Sequence, residues 1–219
     1  NSAECGIEQT PFHKEGVVDL DQRVEDRSSE RTRTIMNFGR HLTELLLERG
    51  DRVAATVRNL DSVKDLAERY GERLWVRKLD VTDHQQIARV VEEAFAALGR
   101  IDVVVSNAGY ALFGAAEEMT QEQIEHQLDT NLVGSINVIR FATKHLRAQG
   151  GGKILQISSV GGQVAFPALS LYHASKWGIE GFVESLVGEL APFGIQLTLV
   201  EPGSAGTDFG SRSAVITQP

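Results

Sequence analysis

The sequence predicts a doubly wound α/β domain built on a parallel sheet. Three observations lead there. Short β-branched runs alternate with helical stretches of about ten residues or more from position 40 onward, several helical stretches close on glycine, and the residues with chemical potential fall just past the ends of the runs. Such alternation implies βαβ units with right-handed crossovers, and ligands in these folds bind outside the carboxyl ends of the strands.

The elements follow in order. A helix over 40–49 carries Leu42, Leu45 and Leu46 on one face and ends at Gly50, and 53–57 reads as a short strand. A helix over 61–70 stops at Gly71, and 74–79 is the next strand. Thr82 or Asp83 caps a helix whose stripe of Ile87, Val90, Val91, Ala94 and Phe95 runs to Gly99. The nearly continuous β-branched run 101–105 suits a strand covered on both faces. A helix over 121–147, a strand over 153–157, a helix over 173–190 and a strand over 195–200 complete the series. Residues 1–33 are polar and aperiodic, an irregular N-terminal segment ahead of one domain over 34–219, and their only strand-like run is 16–20.

Bulk properties narrow the function classes. With 42% hydrophobic and 24% charged residues in 219, the composition is that of a globular domain, and no apolar run approaches the roughly 20 residues that span a bilayer. A formal net charge of −8 leaves no basic footprint for nucleic acid, and the arginines of 23–33 are interleaved with acids, as in a solvated segment. Cys5 is alone, so no internal disulfide forms, and the absence of a signal-peptide pattern points to the cytoplasm. A chain that starts at Asn1 and not at Met reads as a fragment or a processed form. The six histidines show no metal-ligand spacing, so no metal is expected.

Just past the strands stand Arg58, Asp80, Asn107-Ala108-Gly109, Ser158-Ser159 and Pro202-Gly203. Tyr172 and Lys176 are four apart near a helix start and share a face. A phenol with an ordinary pKa of about 10 is a poor base at neutral pH, and a neighbouring cation lowers that value, which makes the pair a general acid/base candidate. Tyr-x-x-x-Lys alone fits any amphipathic helix. Here it follows Ser159, at the end of a buried strand, by 13 residues.

Over roughly 38–209 the chain resembles the short-chain dehydrogenase/reductase family. The resemblance rests on Asn107-Ala108-Gly109, Asn131 within Asn131-Leu132-Val133-Gly134, Ser159, the Tyr172/Lys176 pair, and Pro202-Gly203 followed by Thr207. It implies a Rossmann-like fold and hydride transfer between a nicotinamide cofactor and a ketone, aldehyde or secondary alcohol. Tyr172 is then the general acid/base and Ser159 the partner of the substrate oxygen. Lys176 lowers the phenol and binds the ribose hydroxyls, and Asn131 holds a water that relays protons. Asn107, Ala108 and Gly109 lie beside the adenosine half, and Asp80 bonds the adenine. The plainer alternatives are that Asn131 bonds a neighbouring backbone group, that Asp80 caps the next helix, and that Ser158 is the structural member of the serine pair.

In NAD-preferring sites a carboxylate closes the second strand, whereas an arginine there suits the 2′-phosphate. This chain has Val57 at the carboxylate position and Arg58 after it, so NADP(H) is preferred, with NAD(H) as the alternative. Two departures stand against the family pattern. In Thr-Gly-x-x-x-Gly-x-Gly, Thr32 matches, Arg33 and Asn37 replace two glycines, and only Gly39 remains. The first strand therefore reads as altered or missing, with 16–20 as the local replacement. The domain also reads as C-terminally truncated, without most of the substrate segment, although Val164, Phe166, Leu169 and Leu171 suggest an apolar pocket wall. By family analogy the helices over 131–147 and 173–190 pair subunits in a homodimer or homotetramer. The competing reading is an impaired or non-catalytic relative that acts only through oligomer contacts.

Overall fold

The computed structural model describes residues 15–19, 38–203 and 214–216. Its main sheet holds β1 (Glu15–Asp19), β2 (Arg52–Val57), β3 (Leu74–Lys78), β4 (Val103–Ser106), β6 (Gly152–Ile157) and β7 (Ile195–Val200), all parallel, in the order β3-β2-β1-β4-β6-β7. A separate parallel pair joins β5 (Ala111–Phe113) to β8 (Ala214–Ile216). The chain moves outward from β1 through β2 to β3, then returns to β4 on the other side of β1. That reversal opens the crevice at which doubly wound folds bind ligands.

The position of β1 amends the sequence reading. The irregular segment expected over 1–33 contains a strand inside the domain, at the expected replacement run, and it occupies the middle of the sheet. Val17 faces Ala54 of β2 and Val104 of β4 in register.

Helices α1 (Phe38–Arg49) and α2 (Lys64–Tyr70) cover one face of the sheet, and α3 (His84–Leu98), α5 (Ser135–Ala148) and α6 (Ser170–Leu190) the other. Alternation along the strands feeds both layers. Ala54, Val104 and Ile154 pack with Ile87, Ile139 and Ile179, whereas Val53, Ala55 and Val105 pack with Leu47, Val63 and Leu66. Asp83, not Thr82, caps α3 by accepting from the Gln86 N–H at 2.9 Å. The single helix expected over 121–147 is instead α4 (Gln121–Leu128) and α5 joined by a π-helical turn over Asp129–Gly134. Such turns frequently mark functional sites. No helix among the described residues is long and apolar enough to cross a membrane.

The central strand is open to a direct test. Proline cannot donate to a sheet ladder and is confined to edges and bulges. Val17→Pro is expected to cost at least about 2 kcal/mol in urea denaturation, the scale of one unsatisfied buried backbone group plus lost pairing. An unchanged midpoint would place Glu15–Asp19 outside the sheet.

Candidate active site

Parallel register brings the strand ends to one level, and the expected residues just beyond them gather there. Arg58 and Asp80 line a cleft of about 320 Å³ together with Ala108, Gly109, His126 and Thr130. Asp80 does not cap α3. Its Oδ1 accepts from the Thr82 backbone N–H at 3.0 Å and from the Thr82 hydroxyl at 2.7 Å. Burial pushes the Asp80 carboxyl up, but the Thr82 bonds and the Arg58 and His126 charges outweigh it and hold the carboxyl below its ordinary value.

Asn107 is 3% exposed, and among the described residues neither its Oδ1 nor its Nδ2 has a hydrogen-bond partner. An unpaired buried amide costs about 1–3 kcal/mol per group, so this one fits a site whose ligand supplies the missing bonds. Gly109 lies close beside Asn131 and Lys176, since a Cβ there would stand 3.4 Å from Asn131 Oδ1 and 3.6 Å from Lys176 Nζ. The residues at the strand ends thus fit a dinucleotide. Of the phosphate-turn positions, Gly39 is buried in the first turn of α1, whereas Thr32, Arg33 and Asn37 lie outside the described residues, as does Thr207. Pro202 accepts from the Val160 N–H at 3.1 Å, which sets Pro202-Gly203 against the turn that carries Ser159.

Ser159 caps a 3₁₀ turn over Val160–Gly162, its Oγ accepting from the Gly161 N–H at 3.0 Å. The same hydroxyl stands close enough to the Tyr172 phenol to hold its pKa down in part. Tyr172 and Lys176 are each 4% exposed, and Lys176 Nζ lies 5.8 Å from the Tyr172 ring centroid while donating to the Ile157 carbonyl at 3.0 Å. Sequence spacing suggests that the lysine lowers the phenol, and the structure corrects this. Burial raises the Tyr172 phenol above its ordinary value, and the Ser159 hydroxyl opposes that rise only in part. Lys176, fully enclosed, is pushed down to about 8 by burial, with the Glu180 carboxylate opposing the fall.

Asn131 bonds its neighbours with both ends of its amide. Its Nδ2 donates to the Tyr110 carbonyl at 2.8 Å and to Ser175 Oγ at 3.1 Å, and its Oδ1 accepts from the Tyr110 N–H at 3.0 Å. The side chain ties the segment after β4 to α6 and so fixes Gly109 beside Lys176.

Sequence reasoning passes over His173 as incidental. The ring is 6% exposed, its Nδ1 lies 2.8 Å from the Gly161 carbonyl, and its Nε2 accepts from the Phe166 N–H at 2.9 Å. It therefore pins the loop between Ser159 and Tyr172. Both partners are backbone groups, which leave no trace in a residue pattern. Ser158 is the structural member of the serine pair, its hydroxyl donating to the buried Glu180 carboxylate. Val164 and Phe166, expected as a pocket wall, are 42% and 54% exposed.

Comparison with known proteins adds an independent line. Residues 35–214 match the family model described as short chain dehydrogenase. The chain is 39% identical over 177 residues to oxidoreductase BOA17 of Botryotinia fuckeliana, covering 80% of this chain and 65% of that relative. It spans less than two-thirds of the length of this and four other curated relatives. A short-chain dehydrogenase structure from Streptomyces avermitilis superposes with a TM-score of 0.81 at 33% identity, covering 94% of this chain and 72% of that one. ElxO, solved with NADP bound, superposes at 0.76 with 26% identity over 88% of this chain and 74% of its own.

The burial of Lys176 has a measurable stability signature. Below about pH 8 the lysine is charged in both folded and unfolded chains and the burial cost stands in full. Between about 8 and 10.5 the unfolded chain holds a proton that the folded chain has lost, so this residue's contribution to stability rises with pH. Lys176→Met is expected to be more stable than the parent near pH 7 by about 1–3 kcal/mol in urea denaturation, with the gap narrowing above pH 8. A gap that does not change with pH would show that the ammonium is not buried as described.

Proposed function

The chain belongs to the short-chain dehydrogenase family, and from that premise we propose that it is an oxidoreductase that moves hydride between NADP(H) and a ketone, aldehyde or secondary alcohol. The observation that carries the reading is the burial of Tyr172 and Lys176 on one helix face, with Lys176 bonded to the end of β6 just before the Ser159 turn. The bound nicotinamide supplies the hydride chemistry, and the chain supplies position, proton and field.

In the reductive direction the phenol, kept protonated by burial, donates its proton to the oxygen of the carbonyl undergoing reduction. Ser159 Oγ, seated by the Gly161 N–H, donates to that same oxygen and stabilises the charge developing on it. The Lys176 cation offsets the charge left on the phenolate and would hold the ribose hydroxyls of the bound cofactor. In the oxidative direction the same atoms run in reverse. Asn107, with two unpaired polar atoms, and Gly109, beside Lys176, hold the cofactor. Asn131 positions Gly109 through Tyr110.

Arg58, in one cleft with Asp80 and with Val57 before it, supports a 2′-phosphate and hence NADP(H) over NAD(H). ElxO with NADP bound is consistent with that preference. Exposed Trp177 and Val187 on α6 support pairing between copies as a homodimer or homotetramer, and the setting proposed is cytoplasmic. The second reading, a relative that keeps the site but does not turn over, is favoured by a 32–39 segment in which Gly39 is the only glycine.

Two variants test the assignment. Tyr172→Phe is expected to lower turnover of a carbonyl substrate by about 10²–10⁴, the usual worth of a positioned acid, while NADPH binding persists. Turnover retained in that variant would remove Tyr172 from the chemistry. Arg58→Glu is expected to raise the KM for NADPH by about tenfold or more, since repulsion replaces a charge-assisted hydrogen bond, and to leave NADH use unharmed. Equal effects on both cofactors would separate Arg58 from the 2′-phosphate.

A further inference from the structure

We infer that Glu180 is a positioning residue for proton transfer, acting on the Ser159 turn through Ser158 and Gln163 and on Lys176 through its charge. The inference rests on the oxidoreductase reading above. Glu180 is 4% exposed and stands one helical turn after Lys176 on α6. Its Oε1 accepts from Ser158 Oγ at 2.5 Å, and its Oε2 accepts from Gln163 Nε2 at 2.5 Å. Gly162 completes the clasp, since a Cβ there would collide with the Glu180 carboxylate. One carboxylate thus holds the residue before Ser159, the last residue of the 3₁₀ turn and the residue after it. Because Ser159 caps that turn, the carboxylate fixes the direction of its hydroxyl.

Hydrogen bonding alone does not require an acid here. A glutamine could accept from Ser158 and donate to a turned Gln163 amide, and burying a carboxylate costs several kcal/mol unless its charge is used. The use is on the neighbouring turn, where the Glu180 charge opposes the fall imposed on Lys176 by burial. Tyr172 from the same helix, the Ile157 carbonyl from β6, Asn131 from the π turn and Gly109 from the β4–β5 connection also face Lys176. None of these brings a formal charge while the phenol is protonated. Glu180 is then the group that keeps the lysine cationic near neutral pH.

The test separates charge from shape. Glu180→Gln keeps size and an acceptor for Ser158 and removes the charge. In the folded chain, titrating the Lys176 side-chain carbon resonance by NMR is expected to show a midpoint lowered by about half to one pH unit against the parent, with the alkaline limb of kcat moving down by the same amount. A folded Glu180→Gln whose lysine midpoint and limb stay in place overturns the inference. Ser158→Ala and Gln163→Ala remove one bond each and leave the charge, so each is expected to lower kcat severalfold with the limb unmoved. An unchanged kcat in both would overturn the positioning role, and these two variants carry the test if Glu180→Gln does not fold. The resonance titration needs no turnover, so an inactive parent would refute the oxidoreductase reading and still leave the effect of the Glu180 charge on Lys176 decided.

Discussion

Parallel pairing of Glu15–Asp19 with both neighbours is the constraint on which the rest of the molecule depends. Without a strand between them, β2 and β4 would each present an unpaired edge in the middle of a sheet, where every backbone group needs a partner. With it, register does the positioning. Asp19 stands opposite Thr56 and Val18 opposite Val105, so Arg58 and Asn107 emerge two residues beyond their paired positions on either side of the switch point. The same logic on the far side sets Ser106 against Gln156 and Ile157 against Val200, which brings Ser158-Ser159 and Pro202-Gly203 to that level.

On this frame α6 turns Tyr172, Lys176 and Glu180 into the protein, while Glu184 and Glu189 stay exposed. Tyr172, Lys176 and Glu180 recur at a spacing of four and are all buried, an arrangement that sacrifices stability. The compensation is chemical. In the mechanism proposed above, a phenol raised by burial serves as a proton donor that stays loaded until an oxygen develops charge beside it. A lysine depressed by burial but supported by a carboxylate remains a cation near neutrality. The turn after β6 is held from two sides, by Glu180 through Ser158 and by His173 through Gly161 and Phe166. Those contacts turn a glycine-rich loop into a fixed seat for Ser159.

Much of this is legible in the sequence because the relevant signals are local. Periodicity and glycine stops locate the helices and strands from position 38 onward, and the i,i+4 spacing of Tyr172 and Lys176 places both on one face. Other features depend on contacts that residue patterns do not carry. The run EGVVD is short and surrounded by charge, so its place at the centre of the sheet is decided by β2 and β4, which lack any other partner there. The π turn over Asp129–Gly134 inserts a register change into a continuous helical pattern, which leaves periodicity nearly intact. The direction of the Tyr172 perturbation is set by the burial of the phenol, which spacing does not show. Glu180 does leave a clue, an acid four residues after Lys176 on the same helix face, but its meaning requires Ser158 to be beneath it.

The central claim is that this chain, with β1 in place and few glycines between 32 and 39, still assembles a working dinucleotide cleft at its strand ends. Calorimetric titration of the intact, folded chain with NADPH tests it most directly. Saturable uptake of NADPH, with weaker uptake of NADH, is the expected result. A sample with a native circular dichroism spectrum that releases no saturable heat with either nucleotide would contradict the account.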